Sequence, residues 1–172
     1  VHPFFTKNES IPLRPSAGGG YLSEARRRAP ASAGIEQVRK TVMKSIEEIR
    51  EFFAKDAFAT NAGGYIEEVG DNYSVCSMPV DERHVNAVGN VMGGVYFTLA
   101  DFAFAVATNH ENPNVVSLDS TINFLGIAKG KKIYAKAECV KDGRTTCVYV
   151  IAITDEGGKE VARVTTTGYK FV

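Results

Sequence analysis

Residues 84 to 109 read His84-Val85-Asn86-Ala87-Val88-Gly89-Asn90-Val91-Met92-Gly93-Gly94-Val95-Tyr96-Phe97-Thr98-Leu99-Ala100-Asp101-Phe102-Ala103-Phe104-Ala105-Val106-Ala107-Thr108-Asn109. From Val95 to Ala107 nearly every side chain is apolar, which predicts a helix from Gly93 to about His110, stopped by Asn112, Pro113 and Asn114. With no polar face, such a helix is expected to be buried all round. Asp101 is its one charged residue. Burying an unpaired carboxylate costs several kcal/mol, so it needs a reason. Two readings are open: local hydrogen bonding to a loop amide or a wet subunit interface, or a carboxyl of raised pKa serving as nucleophile or general base. Gly93 and Gly94 are equally two-sided. They permit a tight approach, or they bare amide donors at the positive end of the helix dipole, suited to a developing oxyanion.

The flanking sequence supplies what wraps this helix. Ile46, Ile49, Phe52 and Phe53 recur at helical spacing over Lys44 to Lys55 and predict an amphipathic surface helix. Tyr65–Val69 and Tyr73–Val80 read as strands joined by a tight turn at Gly70, Asp71 and Asn72, and residues 81–91 read as a loop. Four further strands follow, over 115–124, 133–140, 145–154 and 160–171, the last three forming a meander. The expected fold class is α+β: a curved antiparallel sheet of about six strands around one long central helix.

The chain has 172 residues, with twenty basic side chains balancing twenty acidic ones. Residues 1–42 hold seven Lys or Arg against three Asp or Glu, along with four prolines and the run Gly18-Gly19-Gly20; they read as a disordered or artefactual extension, with Met43 a candidate biological start. The domain expected over 43–172 is mildly acidic, which argues against nucleic acid as its ligand. The run Val95 to Ala107 is too short for the roughly 20 residues a membrane span needs, so no membrane partner is expected. Cys76, Cys139 and Cys147 fall on strand-like segments and read as reduced, buried thiols of a cytoplasmic protein. The sequence contains no ligand set for a metal and no dinucleotide fingerprint, so no cofactor is expected.

Asn86, the loop with Gly89, Met92-Gly93-Gly94, Leu99-Ala100-Asp101 and Ala103-Phe104-Ala105 together resemble the signature of hotdog-fold thioesterases of the phenylacetic-acid-degradation type. The similarity continues through Val116-Ser117-Leu118-Asp119, Asn123-Phe124-Leu125 and Asp142-Gly143-Arg144-Thr145. It implies hydrolysis of an acyl-CoA thioester to a carboxylic acid and coenzyme A, the latter carried by the substrate. Asp101 then stands where the family has its catalytic carboxylate, Gly94 with Gly93 where backbone amides polarise the thioester oxygen, and Asn86 where a side chain orients the water or carbonyl. Ser117 lies near a position that assists in some relatives. The resemblance further implies a homodimer at minimum, commonly a homotetramer, in which Asp101 works with Asn86 and Gly94 of the other copy.

Two departures bear on this. Met92 stands where the family has the His of His-Gly-Gly, and His84, eight residues earlier, reads as an exposed loop histidine instead of a replacement. Gly126 and Ile127 stand where relatives often carry Arg-Pro, so Lys129, Lys131, Lys132 and Arg144 are the candidates for contacting coenzyme A phosphates. Phe97, Phe102 and Phe104 are expected to line an acyl pocket between helix and sheet. The rival readings are a catalytically weak acyl-CoA binding protein, which Met92 keeps open, and a hotdog dehydratase, which normally wants a His beside its carboxylate.

Overall fold

The computed structural model describes residues 44–171. The expected extension over 1–42 and the candidate start at Met43 lie outside the described residues. Among the described residues the order is α1 (Ile46–Phe53), α2 (Ala57–Asn61), β1 (Tyr65–Gly70), β2 (Tyr73–Pro79), a 3₁₀ turn (Glu82–His84), α3 (Gly93–Asn109), β3 (Val115–Phe124), β4 (Lys132–Asp142), β5 (Thr146–Asp155) and β6 (Glu160–Lys170). The six strands form one antiparallel sheet in the order β1-β2-β4-β5-β6-β3, which curves around α3 as expected.

Local chemistry accounts for the boundaries. Ser45 opens α1 with a capping box: its hydroxyl accepts from the Glu48 amide and the Glu48 carboxylate accepts from the Ser45 amide. Ile49 and Phe53 bury the inner face of α1, and the Phe53 ring meets Phe102 of α3 edge-on at 6.0 Å. β1 and β2 are joined through Asp71 and Asn72, and Asn72 takes the left-handed conformation (φ 64°) that asparagine tolerates better than most residues.

The core lies between α3 and the inner face of the sheet. β5 alternates between buried and half-buried residues along its whole length, the period of two that a strand with one buried face requires. Ala135 and Ala137 of β4, which packs against α3, are fully buried in the same core as Leu99, Ala103 and Val106 of the helix. Phe104 reaches past them to the Tyr149 ring, 5.5 Å away and nearly perpendicular. Ser74 of β2 donates to the carbonyl of Ala103 at 2.7 Å, tying helix to sheet through a buried polar bond.

Gly168 on β6 has no room for a side chain, since a Cβ there would come within 2.8 Å of Cys147 Sγ and Phe104 Cζ and 2.9 Å of Val115 Cγ1. Gly168→Ala is therefore expected to lower stability by about 1–3 kcal/mol, read as a lower denaturant midpoint with an unchanged slope.

Three expectations need correction. The stretch over 81–91 is not a plain loop: it holds the 3₁₀ turn and a β-bridge between Val85 and Val91. His84 is 3 % exposed instead of solvated, because one ring nitrogen receives the Asp81 amide and the other bonds the Ala62 carbonyl at 2.7 Å. Nor is α3 covered on every face by its own chain. Gly94, Phe97, Thr98, Asp101, Ala105 and Thr108, spaced by three or four, stay half-buried or exposed, so one stripe of the helix looks outward.

Candidate active site

Two cavities flank the open stripe of α3. One, of about 610 Å³, is lined by Met92, Gly94, Val95 and Thr98 together with Met78, α2 and the 3₁₀ turn. The other, of about 420 Å³, is lined by Asp101, Phe97, Thr98, Phe102, Ala105 and the start of α2 from Asp56. Ala57, Phe58 and Thr98 belong to both, so α2 is their common wall. The acyl pocket expected between helix and sheet is thus displaced. Phe97 and Phe102 do line a cavity, but Phe104 is 2 % exposed and belongs to the core.

Asp101 is exposed in terms of its surface, yet its carboxyl sits among enough protein atoms for partial desolvation to raise its pKa above the ordinary aspartate range. The negative charge of Asp56 raises it further, while the Ser117 hydroxyl of β3 pulls it down. A carboxyl so placed is the better base once ionised.

The two glycines at the head of α3 have different reasons for being glycine. A Cβ on Gly93 would come 2.8 Å from the Phe124 ring, so Gly93 permits close approach of β3. At Gly94 the only near atom is the flexible end of Met92, 3.1 Å away. Met92 takes the N-cap position but gives no side-chain cap; the Val95 amide donates to the Met92 carbonyl, while the amides of Gly93 and Gly94 before it have no partner in the helix. Those of Gly93 and Gly94 therefore remain available as donors beside the larger cavity, with no acidic side chain in the first turn to compete.

Asn86 is fixed by its own loop. Its Oδ1 accepts from the amides of Val88 and Asn90, both at 3.1 Å, which leaves its NH₂ group without a partner among the described residues. Lys129 and Arg144 are not brought together. Lys129 precedes β4 and its amide donates to Asp155, whereas Arg144 follows β4, about 35 Å along the eleven-residue strand. Lys129 instead shares a surface cleft with Lys159. Lys132 is paired with Glu67 at 2.6 Å.

Asp56 and α2 were not singled out by the sequence reading. The Asp56-Ala57 step after Lys55 is a fair helix-start signal, but five residues carry too little periodicity to be read as a helix. No cluster of three or more His, Cys, Asp or Glu able to hold a metal occurs among the described residues. Cys76 is no nucleophile, since burial pushes its thiol up to about 12. No helix is long and apolar enough to cross a membrane among the described residues.

An outward-facing carboxylate on a sheet-wrapped helix, with glycine amides at that helix's head, is the arrangement of a hotdog thioesterase, and the chain belongs to this family. The family model described as the thioesterase superfamily matches residues 88–162. The acyl-coenzyme A thioesterase PaaI of Escherichia coli is 33 % identical over 121 residues, which span 69 % of this chain and 86 % of that protein. The solved structure of E. coli PaaI, from the phenylacetic acid degradation operon, superposes with a TM-score of 0.67 at 29 % identity over 71 % of this chain and 89 % of the other. A Streptococcus pneumoniae hypothetical thioesterase solved with coenzyme A superposes with a TM-score of 0.64 at 32 % identity, over 69 % of this chain and 96 % of the other.

Proposed function

We propose that the protein is a cytoplasmic acyl-CoA thioesterase in which Asp101, as nucleophile or through a water, attacks a thioester carbonyl whose oxygen is held by the Gly94 amide. On the water route Asp101 takes a proton from the water as its oxygen bonds to the carbonyl carbon; on the nucleophile route the carboxylate forms a mixed anhydride that a water then opens. On either route the carbon–sulfur bond breaks, the water's oxygen ends in the carboxylic acid, and one of its protons ends on the sulfur as the thiol of coenzyme A. The observation that carries this reading is the Asp101 carboxyl, held at raised pKa in a cavity on the same helix that bares Gly94. No metal or other cofactor enters the reaction. The apolar walls from Met78, Val95, Ala57 and Phe58 suit an aryl-acetyl or medium-chain acyl group.

Geometry also supports a pair of chains. Gly94 and Asp101 are seven residues apart on one helix, about 10 Å along its axis. In the arrangement that the family resemblance implies, a second copy supplies the Gly94 amide and Asn86 opposite Asp101. Strand β3 suits such pairing. It is an edge strand of ten residues, its outer side unpaired, with Val116 and Leu118 exposed. A dimer, doubled to a tetramer, is the assembly we propose, and sedimentation should show no monomer.

Thiol release from a panel of acyl-CoA esters tests the activity. Turnover is the expected result; tight acyl-CoA binding without turnover would favour the binding-protein reading. Met92→His places an imidazole at the mouth of the larger cavity, where it can orient water. We expect faster turnover in the same assay, and an unchanged rate would show that this position takes no part.

A further inference from the structure

The helix α2 brings a second carboxylate to the site. We propose that Asp56 is a positioning residue acting through Asp101: it shares one cavity with it, carries the same charge, and so governs the pH range over which Asp101 serves as a base. The catalytic part of this rests on the thioesterase reading above; the pairing of the two carboxyl groups does not.

Three observations support it. Asp56 and Asp101 line the same open cavity of about 420 Å³, between the start of α2 and the outward stripe of α3, so the two carboxyl groups face one space. Asp56 stands at the N-cap of α2 yet makes no side-chain capping bond, unlike Ser45 before α1 and Asp81 before the 3₁₀ turn. Its carboxylate is not committed to its own helix.

Thirdly, the elements around Asp101 offer no compensating cation. α3 has no other charged residue, and β3 brings the Ser117 hydroxyl. In α1 Arg50 is spent on the Ile66 carbonyl, and Lys55 beyond it sits 5.6 Å over the Phe52 ring. Like charges facing one cavity cannot both ionise freely, and the more desolvated of the two keeps its proton to higher pH. That is the direction in which the Asp101 carboxyl is displaced, with Asp56 second only to burial among the causes.

The test is a ¹³C-carboxyl NMR titration of Asp101 in the whole protein, its resonance identified by loss in Asp101→Asn, run beside the pH profile of kcat/KM. In the natural protein Asp101 should titrate above the ordinary aspartate value, and raising the salt should lower its midpoint. Asp56→Asn should lower the midpoint and abolish its salt dependence, while Asp56→Glu should keep both. The acidic limb of kcat/KM should move with the NMR midpoint and KM should hardly change. An Asp101 midpoint that is the same in Asp56→Asn overturns the proposal whatever the activity, as does an acidic limb that stays fixed while the midpoint moves. A moving midpoint in a protein that hydrolyses no acyl-CoA would uphold the carboxyl pairing and remove the thioesterase reading instead.

Discussion

Asp101→Asn is expected to lower thiol release from acyl-CoA by about 10²–10⁴-fold, the usual contribution of a placed acid–base group, with little change in KM. The substitution is nearly isosteric but removes the only charged group on α3. Stability should move the other way. A carboxyl whose folded pKa is raised binds its proton more tightly in the folded state, so it favours folding below the unfolded value. This advantage is lost as pH rises from the ordinary aspartate value through the raised one. At neutral pH the natural protein therefore carries an unfavourable carboxylate that asparagine relieves. Thermal unfolding at pH 7 should give Asp101→Asn a midpoint no lower than the natural protein's. Lost activity together with a lowered midpoint would indicate structural damage instead of lost chemistry.

The opposite pattern is expected from Phe104→Ala. Phe104 lies three residues from Asp101 on the same helix but points at the sheet, among the largest fully buried side chains, against Tyr149 and over Gly168. Truncating it removes the transfer energy of a whole ring and leaves a hole beside Tyr149 and Gly168. A loss of about 3–5 kcal/mol follows. A domain of this size is typically stable by only about 5–15 kcal/mol, so the unfolding midpoint should fall steeply. Because Phe104 lines neither cavity, the fraction that stays folded at low temperature should keep its kcat. A variant of unchanged stability but lost activity would place Phe104 in the site, contrary to the packing.

How much of this could be read from sequence depends on how far each signal reaches along the chain. The seventeen residues of α3 and the alternation of β4 are long, periodic patterns, and the helix, the strands and the meander of the last three are legible in them, whereas the place of β3 beside β6 at the sheet edge is not. Asp101 stood out because a single charge in an apolar run is conspicuous. What could not be read is what depends on packing between distant segments. The apolar face of α3 suggested burial on every side because a wholly apolar helix carries no mark of which stripe its own chain leaves uncovered. Phe97 and Phe104 lie only about 20° apart around the helix at 100° per residue, so periodicity groups them. Only the packing of Tyr149 and Gly168 against Phe104 puts it in the core. His84 was read as solvated because its partners, the Asp81 amide and the Ala62 carbonyl, are backbone groups that no composition reveals. Asp56 escaped notice for a related reason. It is 45 positions from Asp101, and only the docking of a five-residue helix on α3 brings the two to one cavity.

The central claim is that a thioester carbonyl lies between the Asp101 carboxyl of one copy and the Gly94 amide of another. A crystal structure of Asp101→Asn with an intact acyl-CoA bound tests it most directly. The account predicts the carbonyl oxygen within hydrogen-bonding distance of the Gly94 N–H and the carbonyl carbon facing the side chain at position 101 of the partner copy. A thioester seated away from position 101, or held by one copy alone, would contradict it.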